Sequence, residues 1–379
     1  MRRLDRELLI KNIEAAANED LEQNNVFGSA YFVSQDGEVL FDRCFGVSSL
    51  EKGTPVTDRT IFRLASMTKP ITSVAVLTLV RDGLLSLSDP VSKYLPEFAD
   101  LHVTKLVDGK IEDLGKAKNE IMVSDLLSHT SGFGCSMEKH AMMKPEDKTT
   151  PRATVDFFLR AGLDFEPRTA QSYSPLAAFD VAVLICEKLT GRDHLEYLKS
   201  EIFEPCGMID TTYIPTPEQW GRVIDMHGKK DGQSIVLSTE KGCSFGEYPC
   251  THYLGGGGLV STLYDYSLFA RMLLNGGMGI NRRVLPEELV KTMGTPIVPT
   301  EIMNGRERWG LGVRVIVSEE YRYLAVGTFG WSGAYGTHYW VDPENRIAAV
   351  FMKNSGHDGG AGNRSARHFE KAVNASFAE

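Results

Sequence analysis

Four serines in this chain stand three residues before a lysine: Ser49 before Lys52, Ser66 before Lys69, Ser136 before Lys139 and Ser238 before Lys241. On a helix that spacing puts a hydroxyl and an amine on one face, and a serine beside a base is a nucleophile for acyl transfer. Context separates the four. Only Ser66 follows a strand-like segment (61–64) and opens a long apolar run, SMTKPITSVAVLTLVRDG. Its hydroxyl and backbone N–H are expected at a helix start, where the dipole favours developing negative charge. The apolar run is expected to bury Lys69, which lowers an amine's pKa and makes a proton-accepting lysine attainable. The other three pairs lie in polar, loop-like sequence and read as solvated side chains.

Other groups offer weaker chemistry. Gly242-Cys243-Ser244-Phe245-Gly246 has the spacing of a nucleophile elbow. That turn belongs between a strand and a helix, and residues 247–258 are too rich in Tyr, Pro and Gly to be helical. Ser244 therefore reads as a decoy, although Asp342 and His357 follow in the right order. The run Gly255 to Gly258 lacks the Lys-Ser/Thr of a phosphate-binding loop and implies close backbone approach instead. His129 in Ser-His-Thr-Ser-Gly reads as a packed, hydrogen-bonded turn. Cys44, Cys135, Cys186, Cys206, Cys243 and Cys250 form no CxxC or Cys/His cluster. Neither a metal nor an organic cofactor is implied, and reduced thiols are preferred to a Cys243–Cys250 pair.

These residues need elements to hold them. The start of the chain predicts an amphipathic helix with Leu4, Leu8, Ile13 and Ala16 toward one side. GSAYFV (28–33) and EVLFDRCF (38–45) flank Gln35-Asp36-Gly37 and predict a hairpin with Asp-Gly as its turn. In the helix that Ser66 opens, Pro70 is tolerated only within the first turn, and Gly83 supplies the stop. Residues from about 84 to 235 read mainly as helices. Among them are VSDLLSHTSG, capped by Ser124 or Asp125, and an apolar run (176–189) ending before Gly191; the polar stretch 108–120 predicts a surface hairpin or loop. Helices at 263–274 and near Glu287 follow, then strand-like segments at 309–317, 321–329, 335–341 and 347–352, and a last helix at about 364–377.

Strands at both ends with helices between them predict an α/β (α+β) fold. An antiparallel sheet built from both termini carries an inserted, mainly helical subdomain. The 379 residues are expected to form a single catalytic module, with 1–75 and 236–379 as the α/β part and 76–235 as the helical part. A site is expected in the cleft between them. The formal net charge of -9 argues against a nucleic-acid partner. No apolar stretch is long enough for a membrane span. The basic start has no apolar h-region, so a cytoplasmic location is expected.

SMTKP, LLSHTSGF (126–133), Tyr173-Ser174-Pro175, GGGGLVSTLYDY (255–266) and GWSGAYGTHYWVDP (330–343) recur in the order found in one family. Over roughly residues 10–370 the chain resembles class C β-lactamases, D,D-peptidases and, most closely, family VIII carboxylesterases. The resemblance implies Ser66 as nucleophile, Lys69 as its helical partner, and Tyr173 as the phenol that takes the serine proton and later activates water. It implies the backbone N–H groups of Ser66 and Ala334 as oxyanion donors. Trp331, Ser332 and Gly333 then stand where those enzymes carry Lys-Thr-Gly on a substrate-binding strand. Alternation from Ala334 places residue 338 on the same strand face, making His338 a further candidate for lining the cleft.

Two departures narrow the substrate. Pro175 stands where β-lactam enzymes carry Asn and offers no carboxamide. Trp331 stands where they carry Lys, so the cation that meets a substrate carboxylate is missing. The expectation is a serine carboxylesterase that takes small neutral esters through an acyl-enzyme. The alternatives are a β-lactamase, a D-amino-acid peptidase or amidase, an acyltransferase, and a catalytically silent binding protein. The partner is then a small-molecule ester or amide, and the oligomeric state is not legible.

Overall fold

The computed structural model describes residues 1–237 and 253–378. Among these the two ends of the chain meet in an eight-stranded antiparallel sheet. In spatial order its strands are Glu307–Trp309, Arg314–Ile316, Phe329–Ser332, His338–Asp342, Ile347–Met352, Gly28–Gln35, Glu38–Ser49 and Thr54–Pro55. The ends join where Gly28–Gln35 pairs with Ile347–Met352, Ala30 opposite Met352 and Gln35 opposite Ile347. The first hairpin turns at Asp36 and Gly37, with φ of 51° and 87°. Two successive positive φ values match the twist of the flanking strands, which is why Asp-Gly occupies the turn.

Both faces of the sheet are covered. Tyr31, Val33, Trp340 and Phe351 pack under the helices Arg6–Glu22 and Arg364–Asn374. Phe32, Tyr339, Val341 and Val350 face the helix Leu263–Leu274 and the helical half of the molecule. Burying such side chains stabilises by roughly 1.5–3 kcal/mol each. The first helix, capped by Asp5, buries Leu9, Ile13 and Ala17, a stripe at four-residue spacing. This corrects the expected face: Leu8 and Ala16 lie one position off the stripe, and Leu4 precedes the helix and bridges to Phe377.

The helix Thr68–Arg81 is buried on every side as far as Leu79, with Pro70 in its first turn and Gly83 (φ 70°) just past its end. Residues 108–109 turn a hairpin between His102–Val107 and Lys110–Lys116. Ala177–Thr190 ends on Gly191 in the left-handed conformation. The short helix Val123–Leu127 is capped by Met122 and not by Ser124 or Asp125; Asp125 instead accepts the Met122 amide from the third position.

The region around Trp309 also differs from expectation. Residues 309–317 are divided between two short strands because Gly312 (φ 71°) crosses against the central helix. A Cβ on Gly312 would lie 2.0 Å from Ser73 Oγ. Residues 321–328 are largely irregular, and the strand begins at Phe329. Among the described residues, no helix is long and apolar enough to cross a membrane.

Candidate active site

The strand Ile61–Arg63 pairs with Val260–Thr262 and delivers the chain to a tight turn, Ala65–Met67, that runs into the central helix. Ala65 sits at φ 46°, a conformation costly for a residue with a Cβ and found where surroundings over-determine the backbone. The surroundings are close: the Leu64 carbonyl accepts from Thr337 Oγ1 at 3.0 Å. A Cβ on Gly333 would lie 2.2 Å from that same carbonyl oxygen. Only glycine lets the chain just past Trp331 and Ser332 pass so close to the Leu64 carbonyl, two residues before Ser66. Ala334 follows in a small cluster with Ala65, Met226 and Tyr335.

Ser66 and Lys69 are both buried and brought together, with Lys69 Nζ donating to Ser66 Oγ at 3.5 Å. The same amine donates to the carbonyls of Pro175 at 2.6 Å and Gly256 at 2.8 Å. Burial lowers the Lys69 pKa, against the opposing influence of Tyr173 and Asp180. The glycine run is the wall that permits this. A Cβ on Gly256 would lie 2.3 Å from the Pro175 carbonyl and 3.0 Å from Lys69 Nζ, and one on Gly255 would lie 2.1 Å from the Phe179 carbonyl. Thr72 Oγ1 donates to the Gly255 carbonyl at 2.8 Å, which ties the helix to that wall.

Tyr173 is half-buried, its ring centroid 4.8 Å from Lys69 Nζ. Trp331 Nε1 donates to the Tyr173 hydroxyl at 3.4 Å. Trp309 completes an aromatic group, 4.5 Å from Trp331 and 6.0 Å from Tyr173 between centroids. Behind Tyr173 lies buried His129, whose pKa is pushed well below its ordinary value by burial and then by the Lys69 charge. Asp180, also buried, accepts from Gly255 N–H at 2.8 Å, and burial raises its pKa to about 8 despite that bond and Lys69.

Three candidates fall elsewhere than expected. Ser332 and His338 sit opposite one another on adjacent strands and share the sheet face covered by the C-terminal helix. Ser332 Oγ bonds His338 Nδ1 at 2.7 Å, and His338 Nε2 bonds Glu370 of that helix at 3.1 Å. Strand alternation sends Trp331 toward Tyr173 and the two neighbouring side chains away from it, so neither Ser332 nor His338 lines the site with its side chain. Pro175 is buried and meets Lys69 with its backbone carbonyl.

Lys139 is likewise not solvated: it is buried and pairs with Asp164 at 2.7 Å, while Ser136 caps the helix Met137–Ala141. Ser238 with Lys241, Ser244 and its glycines, and the Cys243–Cys250 pair lie outside the described residues. Cys44, Cys135, Cys186 and Cys206 are free. Among the described residues, no group of three or more His, Cys, Asp or Glu is placed to hold a metal ion.

Sequence reasoning missed Trp309, Asp180 and the proximity of His129 to Tyr173. Trp309, one of four tryptophans, carried a signal in the Gly-Leu-Gly beside it, which breaks a strand. Asp180 carried one as the sole charge in the first half of an apolar helix.

A family model described as Beta-lactamase matches residues 13–372. Esterase EstB of Burkholderia gladioli is 28% identical over 389 residues, spanning 95% of this chain and 94% of EstB. An uncharacterized protein of Mycobacterium tuberculosis is 29% identical over 358 residues, spanning 89% and 88%. The solved structure of EstCE1, described as a hydrolase with promiscuous acyltransferase activity, has a TM-score of 0.81 at 22% identity and covers 97% of this chain and 99% of its own. At that identity the likeness is one of fold.

Proposed function

The chain belongs to the beta-lactamase family, and from that premise we propose that it is a serine hydrolase acting through an acyl-enzyme, a carboxylesterase on small neutral esters. Ser66 is the nucleophile in this reading. In acylation its oxygen bonds the ester carbonyl carbon, the bond to the alkoxide breaks, and the serine proton passes by way of Tyr173 and Lys69 to the leaving alcohol. The N–H groups of Ser66 and Ala334 hold the oxyanion. Water then attacks the acyl-enzyme, gives its proton back along the same path to Ser66, and releases the acid.

One observation carries this reading: Lys69 sits between Ser66 and Tyr173 with two backbone carbonyls on its amine. A neutral amine has two N–H bonds and one lone pair. With Pro175 and Gly256 engaging the N–H bonds, the lone pair is left for the Ser66 hydroxyl, and burial makes the neutral form accessible.

The preference for a neutral ester rests on Trp331. An indole N–H, not an ammonium, meets the Tyr173 hydroxyl, so a substrate carboxylate finds no cation at that position. The esterase name of EstB, 28% identical to this chain, supports an ester as the substrate.

The test is turnover of a short p-nitrophenyl ester against nitrocefin, with labelling by an active-site serine probe. Ester hydrolysis and a single label lost in Ser66→Ala are expected. Strong nitrocefin turnover without ester turnover would favour the β-lactamase alternative. Absence of any acylation at stoichiometric probe would favour the silent binding protein. An active Ser66→Ala beside a dead Ser244→Ala would overturn the nucleophile.

A further inference from the structure

Tyr173 is flanked by two backbone amides, and His129 accepts both. Its carbonyl oxygen takes the N–H of Ser172 at 3.1 Å, and its ring Nδ1 takes the N–H of Ser174 at 3.1 Å. One residue therefore grips the chain on either side of the phenol. The grip depends on an unusual backbone: His129 lies at φ 61°, in the left-handed region. The turn around it is anchored from outside, where Thr130 accepts the Arg168 amide at 2.9 Å and Asp125 pairs with the Arg168 guanidinium at 2.6 Å. The imidazole itself is fully buried, with ring centroids 4.5 Å from Tyr173 and 4.4 Å from Trp309.

We infer that His129 is a positioning residue for Tyr173, setting the place of the phenol relative to Lys69 through the Ser174 amide held on its Nδ1. The inference rests on the reading of Tyr173 as a proton carrier. An acceptor at Nδ1 requires the tautomer with hydrogen on Nε2, an atom that is buried here without a hydrogen-bond partner. An imidazolium would lose the acceptor, and burial together with Lys69 disfavours it. A polar ring is thus kept in an aromatic setting, with one of its nitrogens unpaired, and the Ser174 amide is what it holds there.

The experiment compares His129→Gly, His129→Asn and Tyr173→Phe in hydrolysis of a short p-nitrophenyl ester. Glycine keeps the left-handed backbone and the Ser172 bond but removes the ring acceptor. Asparagine tolerates the same φ and places Oδ1 where Nδ1 stood. The expected result is a kcat in His129→Gly reduced about a hundredfold with KM within about threefold, and a kcat in His129→Asn within about fivefold of the parent. Equal losses in the two variants, or full kcat in His129→Gly, would overturn the inference while leaving a dead Tyr173→Phe, and with it the proton-carrier reading, intact. Full turnover in Tyr173→Phe would overturn both. The unsubstituted protein gives an independent readout should the variants not fold. Nitrogen shifts of 15N-histidine-labelled protein are expected to show His129 protonated at Nε2, and a proton on Nδ1 would refute the assignment.

Discussion

Lys69 donates to the backbone carbonyl of Pro175 at 2.6 Å, which joins the helix beginning beside Ser66 to the segment carrying Tyr173. A proline there offers no amide side chain, yet its carbonyl still holds the amine.

That arrangement predicts how activity follows pH. Burial holds the Lys69 pKa below 10.5, so kcat/KM should rise with pH along a limb whose apparent pKa lies below that value. Lys69→Arg stays protonated throughout. It should lose about 10²–10⁴ in acylation rate, together with the limb. Serine-probe labelling rates across pH check this; a parent limb above 10.5, or an active Lys69→Arg, would count against a proton role for Lys69.

Gly256→Ala tests the wall behind the amine. The added methyl meets the Pro175 carbonyl and Lys69 Nζ, so an overpacking cost of about 1–3 kcal/mol is expected, with labelling of Ser66 reduced beyond what the lowered Tm explains. Gly221→Ala is the control, since its Cβ has no neighbour nearer than 3.4 Å. Labelling of Gly256→Ala at the parent rate would mean that the position of Lys69 is unimportant.

Trp331→Lys should exchange substrate classes. The variant supplies a cation beside Tyr173 and removes an apolar wall and an indole donor. A charge-assisted bond contributes about 1.5–3 kcal/mol, so kcat/KM for a carboxylate-bearing β-lactam should rise roughly ten- to hundredfold while neutral-ester turnover falls. The two kcat/KM values and the Tm are measured on one preparation. Parallel loss of both with a lowered Tm would assign Trp331 to packing alone.

Glu370→Gln should change stability and its pH dependence. Burial raises the Glu370 pKa, but the His338 hydrogen bond and the charges of His338, Arg314 and Arg367 outweigh it, leaving the group below 4.5. A depressed carboxylate contributes stability that is complete above its unfolded pKa and is lost as pH falls through the folded one. The parent Tm should therefore drop more steeply below pH 4.5 than that of Glu370→Gln. At pH 7 the variant should be less stable by about 1.5–3 kcal/mol, because Arg367 and His338 lose their carboxylate partner and Arg314 keeps only Glu307. Identical Tm–pH curves would show that the network carries no such linkage.

What the residues state locally was legible. Asp36-Gly37 sets a hairpin because two positive φ values are needed there, and the apolar surround of residues 71–79 announces a helix buried on all sides. The pairing of Ser66 with Lys69 is of the same kind, since three residues along a helical path bring two side chains together.

Other placements depend on partners far along the chain. Lys139 sits in polar sequence, yet Asp164 supplies a counter-charge that allows it to be buried. His129 needs Ser172 and Ser174 before its ring and carbonyl have anything to hold. Alternation along residues 329–342 sorts side chains into two sets, but a period of two does not say which set meets the central helix. That choice is made when the C-terminal helix covers one face and presents Glu370 to His338, leaving Trp331 on the face of Tyr173. Spacing is carried by the chain itself; the identity of a face is decided by what packs against it.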